Sequence, residues 1–244
     1  MKKYISGPIL LLLLLLSFDI RAQQAGSFWL NGAVGLNSNW ILNQNAYGNP
    51  EMDYTPSFGL TGGVGIICFI NREWGASGSA FLTQMGQNYS GVQGGAMAKR
   101  KVKLTYLEVP ILLMWKIPIM RNPTWISAGP DIMILKKAMQ EYSRAEGGVP
   151  LPNQSGMAEG DIKERFKPVD IALNVSLSRM FEINYRKSVM ILFSLNSSFG
   201  ITDINNPDWK IPNTHNIYQP SHNFYVGGKI GLMFNVARMG GFKW

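Results

Sequence analysis

The sequence predicts an all-β fold, an eight-stranded antiparallel transmembrane β-barrel with short periplasmic turns and long extracellular loops. Three observations carry this. Period-two alternation recurs in about eight runs of roughly ten residues, with Gly, Asn, Pro and charged clusters between them. The connections alternate between short and long, as in bacterial outer-membrane barrels. The chain also opens with an export pattern: Met1-Lys2-Lys3, an apolar run from Ile9 to Leu16, and a small residue at Ala22. Composition agrees. A chain of 244 residues with 46% hydrophobic and only 16% charged residues is not disordered. Its 26 Gly, 7 Trp, 12 Phe and 9 Tyr favour strands over a helical enzyme.

Residues 1–22 read as a signal peptide cleaved after Ala22. Their apolar run is too short to cross a bilayer as a helix, which takes about 20 residues. No cysteine follows the run, so no lipoprotein anchor is expected. Residues 23–244 then form one barrel domain. Strands are expected near 27–37, 57–70, 74–87, 101–116, 124–136, 166–179, 188–200 and 223–236. Short turns fall at 71–73, 117–123 and 180–187, and long loops at 38–56, 88–100, 137–165 and 201–222.

The faces choose membrane over water. The second strand presents Phe58, Leu60, Gly62, Val64, Ile66, Cys68 and Ile70 on one side; the sixth presents Val169, Ile171, Leu173, Val175 and Leu177. The seventh gives Val189, Ile191, Phe193, Leu195, Ser197 and Phe199, and the eighth Phe224, Val226, Gly228, Ile230, Leu232, Phe234 and Val236. Not one of these positions is charged. The opposite faces are rich in Gly, Ser and Asn. Bulky side chains suit the larger outer perimeter and small polar ones the cramped interior, the reverse of a soluble barrel. In lipid such a sheet must close on itself, because no solvent group satisfies an open edge.

Two aromatic belts support a spanning barrel. Phe28, Trp74, Trp115, Phe181 and Phe234 fall at the short-turn end, and Phe58, Phe199 and Phe224 at the other.

The run Lys103-Leu104-Thr105-Tyr106-Leu107-Glu108-Val109-Pro110-Ile111-Leu112-Leu113, with Ala128-Gly129-Pro130-Asp131 in the next strand, resembles the PorT-like outer-membrane β-barrel family of Bacteroidetes. The Gly-rich second strand and Thr83-Gln84-Met85-Gly86 are similar to its pattern. Ser79-Ala80-Phe81-Leu82 departs from the acidic, tyrosine-containing third strand usual there. The likeness spans essentially the whole mature chain. It implies an eight-stranded outer-membrane barrel and, through the family's namesake, a role accessory to protein secretion.

Two constellations are candidates for function. Glu108, Asp131, Asp170 and Lys229 share the inward parity, and a charge in a narrow lumen must be paired and hydrogen-bonded. Lys229 is therefore expected to meet at least one of these carboxylates, in a structural plug rather than a small-solute pore. Lys101, Lys103, Lys136 and Lys167 lie on the outward parity at the long-loop end, and are expected to contact lipid A phosphates as one belt.

Enzyme signatures are thin, and the chain is expected not to be an enzyme. Ser221 and His222 are the one pair to weigh for a lipid A modifying enzyme, and adjacent strand residues point to opposite faces. Cys68 is the sole cysteine, and His215 and His222 the sole histidines, so no metal site or cofactor is expected. The basic charge of +8 flanks a lipid-facing surface in an exported protein, which argues against nucleic acid. Expected partners are outer-membrane lipid and lipopolysaccharide, the barrel assembly machinery during insertion, and a protein at the extracellular loops, with the barrel itself a monomer. The 137–165 loop is the longest, and its Gly147–Pro152 stretch is expected to be mobile. Pro56, Pro123 and Pro168 sit at strand starts or connections. Pro110 and Pro130 lie inside strands and imply bulges or shifted boundaries.

Overall fold

Strands whose outer parity is wholly apolar satisfy every backbone group in lipid only by joining end to end. The computed structural model describes residues 26–43, 52–118, 124–152, 159–183, 188–210, 212 and 215–238. Residues 1–22, read as the signal peptide, lie outside them. Eight long strands form the ring: β1 (Ser27–Leu42), β2 (Ser57–Phe69), β3 (Trp74–Gln93), β4 (Ala96–Lys116), β5 (Thr124–Glu146), β6 (Val169–Glu182), β7 (Val189–Gly200) and β8 (His222–Arg238). Each pairs antiparallel with its sequence neighbours, and β1 pairs with β8 from Ser27↔Arg238 to Leu42↔His222, which closes the barrel.

The faces fall as the alternation requires. Val175, Leu195 and Leu232 are 46%, 64% and 46% exposed, whereas Asn174, Asn196 and Met233 beside them are buried. The charge-free outer band runs from Leu107 to Trp115 on β4, from Ile126 to Ile134 on β5 and from Val169 to Leu177 on β6. Each is nine residues, the span a tilted strand needs to cross a bilayer. Trp74 pairs with Trp115 at the short-turn end. At the other, the rings of Trp40 and Phe224 lie 5.4 Å apart and those of Phe199 and Phe224 6.3 Å.

Two long loops of the sequence reading are corrected. Residues 88–100 are not a loop: β3 and β4 continue through them to a two-residue turn at Gly94-Gly95, with φ of 56° and 80°. A hairpin turn with both central residues at positive φ admits two glycines readily. The 137–165 segment is half strand, because β5 runs on to Glu146 and turns at Gly147-Gly148, φ 56° and 86°. Val149–Leu151 then pairs with Arg144–Glu146 and Gly160–Asp161 with Met139–Gln140, so the Gly147–Pro152 stretch expected to be mobile is a turn and a paired strand in its described conformation. Asp53–Thr55 adds to β3 on the other flank. The alternation of Tyr89, Gly91 and Gln93 with Asn88, Ser90 and Val92 is the signal that these strands outlast the membrane. Together they raise a tower on the β3–β5 side.

Neither Pro110 nor Pro130 makes a bulge. Pro110↔Asp131 and Leu113↔Ala128 keep one register, and the ladder lapses between them. Gly129 permits this close approach, since a Cβ there would lie 2.1 Å from the Ile111 carbonyl oxygen. The bulge lies instead at Lys136, where Tyr106 faces Leu135 but Thr105 faces Lys137. β6 starts at Val169 rather than 166; Phe166 makes only an isolated bridge to Asn205.

Placing a charge on the outer band should cost about 2–4 kcal/mol near the midplane. Leu195→Arg, followed by urea unfolding from lipid vesicles, should show a loss of that size. Unchanged stability would contradict the lipid-facing assignment.

Candidate functional site

The inward residues form two packed layers with a polar space between. Towards the short-turn end, Trp29, Ile67, Met114, Trp125, Met180, Leu192 and Met233 make an apolar floor. Towards the other end, Met85, Tyr89, Val102, Leu104, Tyr106, Met133, Tyr142 and Tyr225 pack with Ile162, Phe166 and Ile204, which the 159–168 and 201–210 segments fold into the mouth. Between them lies a cavity of about 70 Å³ whose lining includes Lys229, Ser79, Ser127, Ser176, Ser194 and Asn196. Space of that size holds a few water molecules and no larger solute.

The predicted lumen charges are inward, and three are buried completely or nearly so: Glu108 at 0%, Asp131 at 0% and Asp170 at 1% exposure. Glu108 accepts hydrogen bonds from the Thr83 and Tyr225 hydroxyls. Asp131 accepts from Asn174 Nδ2 and Ser198 Oγ, each at 3.2 Å, and Asn174 Nδ2 also reaches the Tyr225 hydroxyl at 3.2 Å. Tyr225 and Asn174 thus knit the two carboxyls into one network. Asp170 stands apart, held by Thr202 Oγ1 at 2.6 Å and by Asn223 Nδ2 at 2.8 Å. Asn223 Nδ2 also donates to the Tyr106 hydroxyl at 3.1 Å.

Lys229 makes none of the direct ion pairs expected of it, yet it lies close enough to Glu108 and Asp131 for its charge to act on both. Among the described residues no acidic oxygen lies within 4.0 Å of its ammonium, which sits 4.2 Å from the centroid of the Phe81 ring. An aromatic face stabilises a desolvated cation. The carboxyls take their direct hydrogen bonds from neutral hydroxyl and amide donors, and Gly35 leaves the space that the Lys229 stem occupies, a Cβ there falling 2.8 Å from Lys229 Cγ. Reading charges alone missed Tyr225, Asn223, Asn174, Ser198 and Thr83. Tyr225 and Asn223 share the parity of Lys229, and Asn174 that of Asp170, so the same alternation marks them.

At the mouth, Ser221 and His222 take separate partners rather than each other. Ser221 Oγ is buried, accepts from Asn205 Nδ2 at 2.9 Å and donates to the Asn43 carbonyl at 3.2 Å. His222 Nδ1 lies 3.1 Å from the Thr202 carbonyl oxygen and its ring stacks on Phe199. The loop is instead centred on Asp203, which accepts from the Tyr218 hydroxyl at 2.6 Å and from the backbone N–H groups of Asn205 and Ser221. Burial pushes the Asp203 carboxyl up, and these donors with Lys210 outweigh it, leaving it below the ordinary 3.8. Burial first and then Asp203 push Tyr218 up to about 12.

The outward lysines are not one belt but two tiers. Leu107, Ile134 and Val169 form a single paired rung at the top of the apolar band. The bulge aims both Lys136 and Lys137 outward just above Ile134, and half-exposed Lys167 lies just above Val169. Lys103 and Lys101 stand higher on β4. Their ammonium groups share Glu141, which Lys103 hydrogen-bonds directly and Lys101 approaches to 3.8 Å. The Lys103 bond is the main cause holding the Glu141 carboxyl below its usual range.

Two outcomes follow. Tyr225→Phe should lower stability by about 1–3 kcal/mol by stripping donors from buried groups, measured by urea unfolding; a neutral effect would contradict the network. Because the Asp203 carboxyl is lowered, its bonds are complete above 3.8 and lost as pH falls through the lower folded value. Amide signals of Asn205 and Ser221 should therefore shift only in strong acid, and the shift should vanish in Asp203→Asn.

The geometry agrees with comparison to known proteins. In fold the chain is similar to OprG from Pseudomonas aeruginosa, at 12% identity over 89% of this chain and 99% of that one, with a TM-score of 0.42. It is also similar to AlkL, at 10% identity over 92% and 97%, TM-score 0.39, and to Ail of Yersinia pestis, at 10% over 87% and 100%, TM-score 0.31. All three are outer-membrane or attachment proteins by their descriptions, and the likeness is one of fold. No curated protein matches the chain. The model of the outer membrane protein beta-barrel domain matches residues 21–206. A closed ring of eight antiparallel strands with an apolar exterior and that match over most of its length make this chain a member of the outer membrane protein beta-barrel domain family.

Proposed function

We propose that this outer-membrane barrel is a structural and interaction protein, closed to solutes, that works through its outer wall and its extracellular tower. The observation that carries the reading is the crowded lumen: among the described residues, two packed side-chain layers leave about 70 Å³ between them. Lys101, Lys103, Lys136 and Lys167, joined by Lys137, are the cations we assign to lipid A phosphates of the outer leaflet. An ammonium is a good point-charge partner for phosphate, and the lower tier begins directly above the apolar band. The row at the tip of the tower, exposed Val92, Met97 and Pro150 with half-buried Ala145 among them, is the surface we assign to a protein partner. The resemblance to PorT-like barrels makes a secretion apparatus one such partner. Among the residues that carry that resemblance, Tyr106, Glu108, Pro110 and Asp131 point inward, while Lys103, Ile111, Leu113 and Pro130 are exposed on the outer wall.

Two measurements test this. In planar bilayers the unmodified protein should give no stable channels, and large, long-lived conductance steps would overturn the closed lumen. In native mass spectrometry the variant with Lys101, Lys103, Lys136 and Lys167 all changed to Gln should retain less lipopolysaccharide. Unchanged retention would remove the phosphate assignment.

A further inference from the structure

The tiers of the basic wall differ in what can reach them. Leu107 tops the apolar band of β4, and beyond Thr105 the residues Lys103, Lys101 and Lys99 follow on the same parity, all exposed, below Met97 at the tip, while Ala98, Arg100, Val102 and Leu104 beside them are buried. Alternate residues on one face repeat about every 7 Å. With a strand tilt of about 40°, Lys103 stands about 10 Å and Lys99 about 20 Å above the apolar edge. Phosphates at the acyl boundary lie at the height of Lys136, Lys137 and Lys167, below this ladder.

The ladder's flanks are chemically distinct. On the β3 side its rungs face Gly86, Asn88 and Ser90, which are small or uncharged. On the β5 side they face Met139, Glu141 and Ser143, so Glu141 is the one acid directly across from a rung. Asp53 and Asp161 lie one strand further out on either side, paired with Ser90 and Met139. Glu141 engages Lys101 and Lys103 together, and an ammonium with three donors keeps others for a second acceptor. The wall faces neighbouring lipids sideways rather than the open mouth. What occupies the space beside it, between the acyl boundary and the tip of the tower, is the headgroup of an outer-leaflet glycolipid.

We propose that Lys99, Lys101 and Lys103, with Asn88 and Ser90 beside them, bind the anionic saccharide of outer-leaflet glycolipid above the lipid A phosphates held by the lower tier. This deepens the phosphate reading of the wall and assigns the upper tier its own ligand, an acidic sugar chain. Lysines meet its acidic groups, and the Ser90 hydroxyl and the Asn88 side-chain oxygen meet its hydroxyls, while Asn88 Nδ2 is held by the Pro56 carbonyl at 2.8 Å. Glu141 limits the affinity by competing for two of the three cations.

The test compares the purified full-length protein with an upper variant, Lys99, Lys101 and Lys103 all to Gln, a lower variant, Lys136, Lys137 and Lys167 all to Gln, and Glu141→Gln. The probes are bare diphosphoryl lipid A, lipopolysaccharide bearing its core saccharide, and free deacylated core oligosaccharide. Occupancy is read by native mass spectrometry, with thermal midpoints as the folding check. The upper variant should bind bare lipid A as the unmodified protein does, yet lose roughly tenfold affinity for the core-bearing lipid, as three exposed charge contacts of modest strength imply. Glu141→Gln should bind the core-bearing lipid more tightly. Equal loss on both lipids, or no loss on either, overturns the saccharide assignment, and so does a ladder that captures an acidic protein and no saccharide. Failure of the lower variant to lose bare lipid A sinks the phosphate reading alone. Free oligosaccharide that binds the unmodified protein and is lost in the upper variant also supports the ladder and shows that it takes the sugar untethered; binding of the anchored form alone supports it as a glycolipid contact.

Discussion

Hydrogen-bond closure between β1 and β8 is the constraint on which the other features depend. A strand sheet in lipid has no solvent to satisfy an open edge, and each bare N–H or C=O costs several kcal/mol there. The sixteen-residue β1 and seventeen-residue β8 pair along almost their whole length. Once the ring is closed, side-chain direction ceases to be free. Every outward residue over nine positions meets acyl chains, and every inward one meets a lumen only wide enough for side chains.

The interior chemistry follows from that crowding. Acids placed inside cannot be solvated, so they are met by hydroxyls and amides: Tyr225, Asn174, Ser198 and Thr83 for Glu108 and Asp131, Asn223 and Thr202 for Asp170. Neutral donors do this at close range without adding further buried charge. Lys229 rests on Phe81 and acts on Glu108 and Asp131 through its charge rather than through a direct ion pair. The apolar floor packs below this polar middle, and the described loop segments pack above it. On the outside, the same closure leaves β3, β4 and β5 free to continue upward, where their paired backbones need no lipid. The tower is therefore a consequence of hydrogen bonding that outlasts the membrane, not of a separate domain.

The parts legible in the sequence were those set by parity. Val175 against Asn174 and Leu232 against Met233 fix inside from outside, and the aromatic positions mark both edges of the band. Strand ends were less legible. The glycines at 94, 95, 147 and 148 read as loop composition, whereas their positive φ makes them tight turns closing longer strands. The bulge at Lys136 was invisible to simple alternation, because two consecutive lysines facing the same way break its rule, as does the register shift between Phe28 and Trp29 in the β1–β8 pair. Lys229 shows the other limit: like and opposite charges are countable in a sequence, but which neutral donor reaches a carboxylate first depends on cross-strand register. Asp203 gave no signal, since its partners come from backbone groups, from a tyrosine fifteen residues away and from Lys210 at 3.4 Å, which only the folded loop brings together.

The direction of the side chains can be measured site by site. With Cys68 replaced by Ser, single cysteines carried along β6 from Leu173 to Leu177 and spin-labelled in lipid vesicles report their surroundings through collisions with oxygen, which partitions into acyl chains, and with a water-soluble nickel chelate. The account predicts high oxygen and low nickel accessibility at positions 173, 175 and 177, and immobilised labels shielded from both at 174 and 176. Nickel-accessible labels at 173, 175 and 177, or oxygen contact at 174 and 176, would contradict it.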